Sequence, residues 1–112
     1  KISENVAKKY AVRVVYDSQG KVAKHIYPYY NSNEIVSTKT RTVSTKGFTV
    51  DGGYEGTGLF GEQLFGKGGK YLTITEGECD AMAVYEIFDK KWASVLITTN
   101  MAEKQPVRLL VL

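Results

Sequence analysis

The chain of 112 residues contains a single cysteine, Cys79, and a single histidine, His25. One thiol cannot close an internal disulfide or build a Cys-rich zinc site, which points to a reducing compartment. His25 has no cysteine or second histidine near it, so a metal role there is disfavoured. No apolar run approaches the length of a membrane span, so no membrane association is expected. The start does not read as a signal peptide, and its first residue, Lys1, reads as part of something longer. No internal repeat and no Walker spacing occurs. Gly68 and Gly69, between Lys67 and Lys70, therefore read as a loop rather than a phosphate cradle.

The residues that are present describe a small globular domain, 43% hydrophobic and 24% charged. Eight tyrosines and eleven glycines suggest a twisted, turn-rich β component. The net charge is only +3, but it is unevenly placed. Residues 1–50 hold nine Lys or Arg against Glu4, Asp17 and Glu34, and most carboxylates follow later. A basic half beside an acidic cluster suits an enzyme that handles a polyanion with a divalent metal.

Periodicity divides the chain in two. "ISENVAKKY" predicts a short helix capped by Ser3. "AVRVVYD", "KVAKHIYPYY" and "IVSTKTRTV" alternate like strands and are separated by the turns "DSQG" and "NSNE". Residues 10–43 thus read as an antiparallel meander, with a further strand near "GFTV". "DGGYEGTG" is too glycine-rich for regular structure, and "LFGEQLF" reads as a short helix or turn. "KYLTIT" and "ASVLIT" read as buried strands. The helix between them carries Ala81, Val84, Tyr85 and Phe88 on one face. Strand, helix, strand implies a parallel βαβ unit. The expected class is α+β: a β-rich part over 1–66, then the first part of an α/β sheet over 67–112.

Three acids mark the joint between strand and helix. Glu76 follows the strand directly, where ligands gather in open α/β sheets. Gly77 is expected to permit the sharp turn. Glu78 and Asp80 fall in the helix's first turn, where the helix dipole alone would favour them by about 0.3–1 kcal/mol each. Carboxylates in this arrangement are either helix-start residues or ligands for Mg²⁺. Cys79, between them, reads as a small packing residue. Upstream, Ser37, Lys39 and Arg41 share one strand face and Thr38, Thr40 and Thr42 the other. That basic stripe, with Lys46 just beyond, is either a solvated face or a set of phosphate contacts. Tyr27, Tyr29 and Tyr30 are core or strand-pairing residues in preference to base-stacking ones.

"TITEGECDAMAVYEIF" resembles the first signature of the Toprim fold. "ISENVAKKYAV", "IVSTKTRTVSTKGF", "GLFGEQLF" and "GGKYLTITEGECDAM" follow in the order found in phage-type bifunctional primase–helicases of the DnaG-type Toprim fold. The resemblance covers about residues 1–98. It implies a primase domain that joins ribonucleoside triphosphates on a single-stranded DNA template with Mg²⁺ or Mn²⁺, in the cytoplasm of a phage-infected cell. Its parent would carry a helicase domain, hexameric in that family. Glu76 matches the residue thought to act with the metal or as general base, and Glu78 and Asp80 match the neighbouring acids. Lys39 and Lys46 match basic residues that contact nucleotide or template, and Arg41 lies in the same segment. The chain departs from the pattern after residue 98. Met101 and Ala102 stand where a glycine-containing turn is expected. No Asp follows Asp89, so the second acidic signature, Asp-x-Asp, is missing and the domain reads as truncated. Two other readings remain: a non-catalytic module that binds single-stranded DNA or nucleotide, and a Toprim nuclease of the overcoming-lysogeny type.

Overall fold

The structure, a computed structural model, describes residues 2–53, 56–65, 71–90 and 93–96. The loop around Lys67–Lys70, the expected boundary near 66, and the tail from 99 lie outside the described residues.

Helix α1 spans Glu4–Lys9. The Ser3 hydroxyl accepts from the Val6 N–H at 3.3 Å, as a capping residue should. Glu4 at the start and Lys8 and Lys9 at the end complement the helix dipole. Four antiparallel strands follow in simple order: β1 (Arg13–Tyr16), β2 (Val22–Asn31), β3 (Glu34–Thr42) and β4 (Phe48–Asp51). Turn chemistry sets their pairing. The Asp17 carboxylate accepts from the N–H groups of Gln19 and Lys21 and closes β1 onto β2. Ser32 and Asn33 both adopt positive φ, the two-residue hairpin geometry that matches strand twist. A bulge between Tyr29 and Tyr30 shifts the register near this tip.

Strand β5 (Leu72–Thr75), helix α2 (Glu78–Ile87) and strand β6 (Ala93–Leu96) then form the expected unit, with β5 and β6 parallel. Among the described residues no helix is long and apolar enough to cross a membrane.

One core serves both parts. Tyr27 and Tyr29 point from β2 into it, as their role in packing predicts. Phe60 stacks on Tyr10 at 5.3 Å and meets Tyr27 edge-on at 5.7 Å. Ala81, Met82 and Tyr85 of α2 and Val95 of β6 complete the cluster. Tyr10 ties α1 to β6 by donating its hydroxyl proton to the Ser94 carbonyl at 2.6 Å. Gly61, at φ +86°, lets the chain pass this ring: a Cβ there would lie 2.5 Å from the Tyr10 ring. Hydrogen bonds from Ser3, through its hydroxyl and through its backbone N–H at 2.8 Å, hold the Glu86 carboxyl below its ordinary range.

Three expectations need correction. The inward stripe of α2 is Glu78, Ala81, Met82 and Tyr85, not Ala81, Val84, Tyr85 and Phe88. Phe88 follows the last helical residue and is exposed. Counting apolar residues alone missed that a carboxylate heads the buried stripe. Strand β5 is not buried on both faces, since Ile74 is 43% exposed. Cys79 is exposed rather than packed inside.

Burial holds the Tyr27 and Tyr10 phenols well above their ordinary value of 10.0. Contact with Cys79 pushes Tyr27 further up, and the charge of Tyr85 does the same for Tyr10. The stabilisation tied to these raised values is fully present below pH 10. Above it, unfolded phenols ionise while the folded ones stay neutral, so stability is lost as pH rises. Urea unfolding between pH 8 and pH 11.5 is expected to show this loss, up to about 1.4 kcal/mol per pH unit for each phenol. Tyr27→Phe is expected to remove roughly half of the combined slope.

Candidate active site

The strand-to-helix joint is fixed by backbone contacts. Thr75 donates through its hydroxyl to the carbonyls of Gly77, at 3.1 Å, and Val95, at 3.3 Å. Gly77 caps α2 at φ −133°, extended backbone that any residue adopts. Its expected freedom to turn is therefore not what shapes the joint. The Asp80 carboxylate folds back over this glycine, where a Cβ would lie 3.1 Å from Oδ2. Glu76, just after β5, and Asp80 are both exposed.

Glu78 is different. It is 3% exposed and faces the four-stranded sheet. Lys39 Nζ lies 3.0 Å from its Oε2 and 3.3 Å from its Oε1. Tyr29 donates its hydroxyl proton to Oε2 at 2.7 Å. Lys39 is itself 7% exposed, and its ammonium lies 4.5 Å from the centroid of the Phe48 ring. A charge so desolvated persists only when paired and hydrogen-bonded, and this pair is both. The first turn of α2 adds its dipole to the stabilisation of Glu78.

Cross-strand register explains the partners. Tyr27 is opposite Lys39 and Tyr29 opposite Ser37, so all four share one sheet face. Ser37, Lys39 and Arg41 occupy that face, with Thr38, Thr40 and Thr42 on the other. The face is not a uniform solvated stripe: Ser37 and Lys39 are buried, while Arg41 is exposed. Lys46 is exposed in the turn between β3 and β4, at φ +58°. Next to the pair, the Tyr27 hydroxyl lies 2.8 Å from His25 Nδ1 and 3.4 Å from Cys79 Sγ.

Of the expected site residues, Glu78 and Lys39 touch each other. Arg41 lies beside them on the sheet face, and Glu76 and Asp80 flank Glu78 in sequence. Lys46 makes no ion pair with any of them among the described residues. Tyr29 and Phe48 escaped sequence reasoning as site residues. A tyrosine two positions from Tyr27 on a strand signalled burial, but nothing local signalled a carboxylate partner 49 residues away.

Mg²⁺ commonly uses one or two carboxylates and keeps several waters. Glu76 and Asp80 suit that supply. Glu78 does not, because an ammonium close to both its oxygens repels a second cation. Among the described residues, no group of three or more His, Cys, Asp or Glu gathers to hold a metal.

Comparison with solved structures decides the relationship. The crystal structure of the primase fragment of the bacteriophage T7 primase–helicase matches at a TM-score of 0.74 and 30% identity. That match covers 92% of this chain and 42% of the other. A second structure contains primase domains of two subunits bound to an RNA/DNA hybrid and dTTP, interacting with the bacteriophage T7 lagging-strand DNA polymerase. It matches at 0.77 and 28% identity, over 96% of this chain and 48% of the other. The chain has a phage primase fold. This α+β primase-like chain spans less than half the length of the solved chains it matches. No family model matches it.

The buried pair generates a stability prediction for the primase-like chain. Lys39→Met or Glu78→Gln alone leaves a buried group without its partner and is expected to cost about 3–5 kcal/mol. The double variant Lys39→Met with Glu78→Leu is expected to recover most of that loss, because no buried charge remains. Glu76→Gln, at an exposed position, is expected to stay within about 0.5 kcal/mol. Urea unfolding at pH 7 measures all four.

Proposed function

We propose that this chain is part of a DNA primase. Such an enzyme makes short RNA primers on a single-stranded DNA template by Mg²⁺-dependent nucleotidyl transfer. One observation carries the reading: likeness in sequence and fold to T7 primase over 92–96% of the chain. One solved neighbour is bound to an RNA/DNA hybrid and dTTP, which supports nucleic acid and nucleoside triphosphates as partners here. In this reading residues 1–66 form the N-terminal subdomain and 67–112 the partial Toprim part. The parent works in the host cytoplasm with a helicase domain, as a hexamer.

The reaction joins a primer 3′ oxygen to the α-phosphorus of an incoming nucleotide, and the bond to the β-phosphate breaks to release pyrophosphate. The 3′ hydroxyl loses its proton, and Glu76 is the acceptor we favour because it is exposed at the end of β5. In the alternative role Glu76, together with Asp80, would hold Mg²⁺ or Mn²⁺, which supplies charge to offset the phosphates. Exposed Arg41 and Lys46 meet phosphate oxygens. Lys39 adds positive potential from beneath the site while it holds Glu78. A second reading, a non-catalytic fragment that binds single-stranded DNA or nucleotide, is favoured by the engagement of Glu78 with Lys39. That contact leaves two of the three clustered acids available for a metal.

Primer synthesis on single-stranded DNA with Mg²⁺ tests the proposal. Wild type is expected to form dinucleotide, and Glu76→Gln to lose about 100-fold or more with its fold intact. No synthesis by wild type, combined with salt-dependent binding of single-stranded DNA, would select the second reading. In either case Lys46→Ala is expected to weaken binding and lower the salt slope by about one.

A further inference from the structure

One row of side chains crosses all four strands of the sheet beside the buried pair. Val14 is opposite His25, His25 opposite Arg41, and Arg41 opposite Phe48. Direct cross-strand partners lie on one face, so the row continues the face that carries Tyr27 and Lys39. Inter-strand spacing gives it a length of about 14 Å.

Its chemistry is unusual for an exposed sheet face. Phe48 is 58% exposed although it is a large apolar ring. One side of that ring receives the Lys39 ammonium at 4.5 Å, and the high exposure leaves the other side open to solvent. Arg41, its neighbour, makes no ion pair among the described residues, and Asp51 at the end of β4 lies on the opposite face. The β3–β4 turn adds Lys46, also without an ion pair among the described residues. An open aromatic ring, a planar guanidinium and uncompensated positive charge form the combination that single-stranded nucleic acid uses. Bases stack on the rings while cations meet the backbone.

We propose that the Val14–His25–Arg41–Phe48 row is a stacking platform for an unpaired base of single-stranded DNA. The base lies on the open side of Phe48, and Arg41 and Lys46 meet the flanking phosphates. The occupant is a strand rather than a free nucleotide, because the row is longer than one base and its cations lie on two separate elements. This inference rests on the nucleic-acid reading above and adds to it a contact made by the base.

Binding of a DNA dodecamer, compared with an abasic dodecamer of the same phosphate count, tests it on the full chain. Wild type is expected to prefer the base-bearing strand by about fivefold to 150-fold for one stacked base. Phe48→Leu is expected to bring the base-bearing strand down to the abasic strand's affinity. Phe48→Trp keeps a ring, so it is expected to retain the preference, with indole fluorescence quenched by the base-bearing strand alone. Equal affinity of wild type for the two strands would overturn the platform while leaving the nucleic-acid reading standing. So would a preference that survives in Phe48→Leu. Binding of neither strand would overturn both.

Discussion

The buried contact between Lys39 and Glu78 is the constraint on which the arrangement depends. It joins the middle of the four-stranded sheet to the first residue of α2, and Tyr29 completes it with a hydroxyl from the neighbouring strand. Without it, the aromatic core would still hold α2 to the sheet through Ala81, Met82 and Tyr85. The pair adds direction. The hydrophobic effect is non-directional, whereas two opposite charges removed from water are stable only in a few geometries. The helix start is thereby held against the basic face, and the exposed acids on either side of Glu78 are carried with it.

That geometry divides the three acids by role. A carboxylate engaged by an ammonium and a phenol serves as an anchor, whereas its neighbours Glu76 and Asp80 are exposed. The same logic divides the basic residues. Lys39 holds the joint and cushions Phe48, while Arg41 and Lys46 present their charge outward. Exposed cations and exposed carboxylates thus lie on either side of one buried ion pair. This arrangement agrees with the phage primase fold that the solved neighbours share.

Much of this architecture was legible because local chemistry set it. Ser3 announced a helix start, "NSNE" a turn, and the alternation of β2 and β3 their faces. The parallel βαβ unit followed from the order of its elements, and Glu76 was marked by its place after a strand. What stayed hidden depended on distant partners. Glu78 looked like any first-turn acid, and only Lys39 and Tyr29, far upstream, make it a buried anchor. Phe48 looked like one residue of a weak strand, and cross-strand register alone sets it beside Arg41. Gly77 looked like a conformational necessity, yet its backbone is ordinary and the feature over it is the Asp80 carboxylate.

The central claim is that the Lys39–Glu78 pair pins the start of α2 to the sheet. Amide hydrogen exchange in wild type and in Lys39→Met tests it most directly. Protection across Ala81–Tyr85 is expected to fall further in the variant than protection of the β2–β3 pairing. Unchanged protection in α2, or a loss spread evenly over both sheets, would contradict it.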